Sequence, residues 1–143
     1  MSNPNGPKVS FPGEGLVANA FGRNVVRLDG TTGNSISVIG VEVSVGDGSP
    51  MHVHTREEET FRVLSGVFGF WCGEEYLELS QEGIVSLRNS VPHRLKNIGT
   101  CDGELMVIFS PGGFERSLEE AAHNPEADPV TLGARYGVTF VAG

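Results

Sequence analysis

The feature that most constrains the fold is a series of short apolar runs that alternate and then stop at turn residues. Ser35 to Val45 (SISVIGVEVSV) places Val41, Val43 and Val45 on one face of an extended segment and Glu42 and Ser44 on the other. Successive side chains of a strand point to opposite faces, so this period of two predicts a half-buried strand. Shorter runs of the same kind follow at Thr60–Leu64, Val67–Cys72, Tyr76–Leu79, Gly83–Leu87, Val91–Ile98 and Glu104–Phe109, with an earlier one at Asn24–Leu28. Asp29-Gly30, Gly46–Pro50, Ser65-Gly66, Gly73 and Ser110–Gly113 break them up. Many short strands joined by tight connections predict an all-β sandwich or barrel. With 143 residues, 20 of them Gly, the chain has the length for one domain and a real core.

The two ends differ from this middle. Residues 1–20 are polar and rich in Pro and Gly at their start, and read as an N-terminal arm. They resemble neither a signal nor a transit peptide. Phe114–His123 (FERSLEEAAH) has helical composition, with Phe114, Leu118 and Ala121 or Ala122 on one face. That helix is expected either to cap the barrel mouth or to pack on the outer sheet. Thr131–Tyr136 is expected to form a second short helix, and Val138–Val141 an edge strand. The expected division is therefore an arm at 1–20, a barrel at 21–112 and a C-terminal extension at 113–143.

The formal net charge is −8 and no basic cluster is present, which argues against a nucleic-acid partner. No apolar run is long enough to span a membrane. Cys72 and Cys101 form neither a disulfide framework nor a CxxC pair, which suits a cytoplasmic chain with free thiols.

The chemistry is concentrated in MHVHTREEET. His52 and His54 share one face of a strand, with Val53 on the other, so two imidazoles can reach one ion. Glu59 stands five positions beyond His54 and would face the wrong way on one straight strand. A bend through Thr55–Glu58 can return it, after which Phe61 and Val63 share its parity. Glu59 ranks ahead of Glu57 as a ligand, and Glu57 and Glu58 read as a solvated turn. His93, in RNSVPHRLKN, is the third candidate imidazole. Three imidazoles and one carboxylate suit Fe, Mn, Ni, Cu or Zn, not Ca or Mg. By spacing alone, the histidines are as compatible with unrelated surface and core positions. His123, in the polar tail helix, reads as solvated.

Together these segments resemble the two motifs of the cupin superfamily. The first motif is Gly, five residues, His-x-His, three or four residues, Glu, six residues, Gly; here Gly46, His52, His54, Glu59 and Gly66 match every element. The second is Gly, five residues, Pro-x-Gly, two residues, His, three residues, Asn. His93 and Asn97 match it, while Glu82, Arg88 and Ser90 stand where the family has Gly, Pro and Gly. Those departures bear on turn geometry, not on the ligand set. The resemblance covers roughly residues 40 to 110, and the tail is similar to the extension of small bacterial cupins of the quercetin dioxygenase type.

The resemblance implies a jelly-roll barrel with a divalent transition metal held inside it by His52, His54, Glu59 and His93. It also implies a catalytic role for Glu59 and a structural or metal-supporting role for Asn97. Phe61, Val63 and Leu95 share parity with the ligands and are expected to line an apolar substrate pocket. Arg62, Arg94 and Lys96 are out of phase and expected to face solvent. The expected activity is oxidation of an aromatic, enolic or polyketide-like small molecule by a dioxygenase. An isomerase, cyclase or decarboxylase that does not use O2 and a non-catalytic ligand-binding cupin are the alternatives. Small cupins commonly pair through edge strands, so a homodimer is expected.

Overall fold

A computed structural model describes residues 5–7, 9, 11–20, 24–28 and 35–142. Its strands form two antiparallel sheets. The six-stranded sheet has the order β1 (Leu16–Ala20), β2 (Asn24–Leu28), β3 (Ser37–Val43), β10 (Gly103–Ser110), β5 (Glu58–Ser65), β8 (Ile84–Leu87). The five-stranded sheet has the order β11 (Val138–Phe140), β4 (His52–His54), β9 (His93–Asn97), β6 (Phe68–Cys72), β7 (Glu75–Leu79). The chain switches sheets between consecutive strands such as β3 and β4 or β5 and β6, which is the jelly-roll pattern expected from the sequence.

Alternation decides what each strand buries. Along β5, Glu59, Phe61 and Val63 are buried while Thr60 and Arg62 lie between them at the outer face. Along β10, Gly103, Leu105, Val107 and Phe109 are buried by the same rule. These side chains meet Phe68 and Phe70 of the opposing sheet, with the Phe61 and Phe70 ring centroids 5.3 Å apart. Among the described residues, ten buried side chains form this core, from Ile39 to Phe109 in sequence. Trp71 takes the outer face, as its parity requires. There the Arg94 guanidinium lies 4.0 Å from the ring centroid, so Arg94 is stacked rather than freely solvated.

Two expectations change. Residues 16–20, expected within the arm, form β1 and pair along their whole length with β2. Strand β3 ends at Val43, so Val45 lies past it and is exposed rather than inward. Its amide is held instead by Asp102 Oδ1 at 3.0 Å. Asp29 and Gly30, expected to end β2, lie outside the described residues, as do residues 1–4, 8 and 10 of the arm.

The tail forms α1 (Glu115–His123) and α2 (Pro129–Arg135). Asp128 caps α2 by accepting from Thr131 N at 3.2 Å, with Pro129 supplying the pre-set first residue. Phe114 and Leu118 pack on the barrel core and line its cavity, so α1 faces the mouth while also lying against β1 and β2. Beyond α2 the chain pairs with β4 through Val138↔His54 and Phe140↔His52. No described helix is long and apolar enough to cross a membrane.

Candidate metal centre

Three strands from two sheets bring the polar cluster together. His52 and His54 are both buried on the inner face of β4, with Val53 on the other side. His52 stands opposite His93 in the β4–β9 register, and their ring centroids are 4.4 Å apart. His54 and Glu59 are five residues apart, yet they meet. The turn Thr55–Glu57 carries the chain from the five-stranded sheet to the six-stranded one, and the inner faces of the two sheets oppose each other. Glu59 Oε1 lies 2.6 Å from His54 Nε2, 3.1 Å from His93 Nε2 and 4.0 Å from His52 Nε2.

One potential ligand atom from each of His52, His54, Glu59 and His93 lies within 4.8 Å of the others. Donors about 2.1 Å from a common ion sit roughly 3 to 4.2 Å apart, so shifts of a few tenths of an ångström would satisfy such an ion. The rings are also oriented from behind. The Nδ1 of His52 faces Pro50 O at 2.8 Å and that of His93 faces Val91 O at 3.3 Å. The Nδ1 of His54 faces Glu57 Oε1 at 3.3 Å. With each Nδ1 committed to an acceptor, each Nε2 is left to point inward.

Burial and neighbours set the charges. Burial lowers the His52 pKa to about 4, and the nearby His93 acts in the same direction. Burial also opposes charge on His54, but hydrogen bonds to Glu57 and Glu59 outweigh it and raise that ring to about 9. Burial would raise Glu59, and the two imidazoles beside it instead hold it down at about 2. The centre therefore presents an ionised carboxylate and a neutral imidazole near neutral pH, with one ring that must lose a proton before binding an ion.

Glu57 is the residue sequence reasoning misread. It was expected in a solvated turn, but it is 6% exposed and bonded to His54. Glu58 is exposed as expected. Asn97 is also buried, and all its partners are backbone groups. It donates to Val43 O and Cys101 O at 2.9 Å each and accepts from Gly99 N at 2.9 Å. Asn97 therefore fixes a turn and supports no ligand. His123 is exposed in α1 and remote in role, its Nδ1 facing Glu119 O.

Three of the four cluster residues, His52, His54 and Glu59, line a cavity of about 430 Å³, and His93 stands behind them. Phe61 and Leu95 line it as expected, whereas Val63 is fully buried in the core and does not. Phe109, Phe114, Leu118 and Phe140 are among its other apolar lining residues, and no Lys or Arg is among the described lining residues. Phe109 continues the β10 alternation. The α1 and β11 contributions depend on where the tail folds back.

The motif glycines explain the local turns. Gly46 and Gly66 have φ of +81° and +92°, a region that favours glycine. Glu82 and Ser90, which replace the glycines of the second motif, have φ of +76° and +65°. The turn geometry is kept although the residue type is not.

A barrel of this topology with this inward ligand set defines a cupin with a candidate metal centre. The cupin domain model matches residues 40–109, so this stretch of the chain is a cupin domain. No curated protein matches it in sequence. Among solved structures, KdgF from Halomonas sp. is similar at a TM-score of 0.69 and 16% identity, over 76% of this chain and 99% of that one. An RmlC-like cupin from Shewanella frigidimarina is similar at 0.68 and 17%, over 78% and 96%. A variant of PAC13 from Streptomyces with bound uridine is similar at 0.66 and 18%, over 78% and 87%. At these identities the likeness shows the fold.

Proposed function

We propose that the chain is a metal-dependent cupin enzyme, a dioxygenase of an aromatic, enolic or polyketide-like small molecule. The observation that carries this reading is that His52, His54 and Glu59 of a His3Glu cluster line an apolar, aromatic-rich cavity with no Lys or Arg among its described lining residues. Such walls favour a largely uncharged organic ligand whose polar group turns toward the cluster. A bound Fe, Mn, Ni or Cu would supply Lewis-acid and redox chemistry, whereas Zn would supply Lewis-acid chemistry alone.

The chain's own residues supply the rest. His52, His54 and His93 would hold the ion through Nε2, with Glu59 through Oε1. The aromatic side chains Phe61, Phe109 and Phe114 would orient a flat ligand, and α1 would exclude water from the mouth. Glu59 can also accept a proton at its carboxylate from an enol hydroxyl. The imidazoles that keep it ionised make it a weak base, and an ion on its oxygen would do the same, so this role requires the carboxylate to detach from both.

The test is oxygen uptake by protein loaded separately with each of the five metals and mixed with aromatic enols. Uptake that matches product formation, and that is lost in Glu59→Ala, supports the reading. Turnover without uptake assigns the reaction to an isomerase, cyclase or decarboxylase. Saturable binding without turnover assigns a binding protein.

A further inference from the structure

We propose that Glu57 is a positioning residue for the metal centre, acting through the His54 ring; this inference rests on the metal reading above. Three imidazoles face the cluster, and each is held from behind by one acceptor. For His52 and His93 that acceptor is the neutral backbone carbonyl two residues earlier. For His54 it is a carboxylate, Glu57 Oε1, at 3.3 Å. Glu57 is 6% exposed, in a turn whose flanking residues Arg56 and Glu58 are exposed. Burying a carboxylate is costly unless it is well partnered, and a solvated turn has no need of it.

Two consequences follow from the arrangement. The Nδ1–H of His54 is committed to Glu57, which fixes the tautomer that leaves Nε2 for the ion. A charged acceptor also makes that ring a stronger donor than its two neighbours. Moreover, a divalent ion with Glu59 as its one carboxylate ligand leaves a buried charge of +1, and Glu57 cancels it. The centre as a whole becomes neutral inside an apolar wall.

The test uses Co(II)-loaded full-length protein and measures chelator-driven release and the visible ligand-field spectrum. Release is measured from the loaded state because protons compete for His54 in the free protein. Glu57→Ala should release the ion about tenfold faster or more. Glu57→Gln, which keeps an accepting oxygen but lacks the charge, should fall between Glu57→Ala and wild type. Both should shift the spectrum at saturation, which a merely structural role would not do. Glu58→Ala, at the exposed neighbour, should change neither.

If Glu57→Ala does not fold, the Gln variant decides. Release within twofold of wild type and an unshifted spectrum would overturn the inference while the metal reading stands. A wild-type chain that binds no Co(II) would overturn both.

Discussion

Replacing Ser90 by glycine should stabilise the protein. Ser90 sits in the turn that delivers His93 to the centre, with φ at +65°. An L-residue there brings its Cβ close to the following carbonyl, at a cost of about 1–2 kcal/mol. Glycine removes that cost but loses more backbone freedom on folding, by about 0.5–1 kcal/mol. The net expectation is a gain of about 0.5–1 kcal/mol, or roughly 1–4 °C in Tm for a chain of this length. The native contact of this residue survives the change, because it is the backbone amide that donates to His54 O at 2.7 Å. Glu82→Gly relieves the same strain at φ +76° but also deletes the exposed Arg62–Glu82 ion pair, worth about 0–1 kcal/mol, so its gain should be smaller. Gln81→Gly is the control, at an exposed neighbour whose φ is not positive, and should destabilise. Urea unfolding of chelator-treated protein, read as midpoint at constant slope, measures all three. If Ser90→Gly lowers the midpoint as much as the control does, the strain argument is wrong. Metal content should be unchanged throughout.

Metal loading near pH 7 should release about one proton, from His54, whose raised pKa keeps it charged in the free protein. Calorimetry in two buffers of different ionisation enthalpy reads that number, and none released would refute it. The same ring contributes stability to the metal-free protein that is complete below its ordinary pKa of 6.5 and lost as pH rises through about 9. Unfolding midpoints between pH 6 and 10 should therefore fall on the alkaline side. Asn97→Ala should cost about 2–4 kcal/mol, since it orphans buried backbone groups, yet leave the metal-loaded spectrum of the surviving fold unaltered. A homodimer should elute with a light-scattering mass of twice 15.2 kDa, and a mass of 15.2 kDa would refute the expected pairing.

What the sequence could disclose depended on the distance over which each feature is determined. Alternation is local, so the inward sides of β5, β9 and β10 and the outward turn of Trp71 were legible from neighbours alone. The motif spacing then named the four residues that converge. Parity says which face a side chain takes but not how far along the barrel it sits. Val63 shares the face of Glu59, but its side chain is fully buried in the core beside Leu105 and does not reach the cavity. Phe61, two residues nearer, lines the wall.

Glu57 failed for a different reason. A run of three glutamates beside an arginine has the composition of a solvated turn, and for Glu58 that reading holds. The burial of Glu57 comes from the crossing between sheets, which folds the turn back against His54, and from no property of the run itself. Strand β1 and the α1 cap share this origin: LVANA and FERSLEEAAH are weak patterns until β2 and the barrel mouth supply their partners. The second-motif departures make the complementary point. Glu82 and Ser90 show that a turn dictated by long-range pairing can hold its left-handed residues without glycine. The loss of a motif residue type there therefore reports on stability, while His93, three residues after Ser90, still arrives opposite His52.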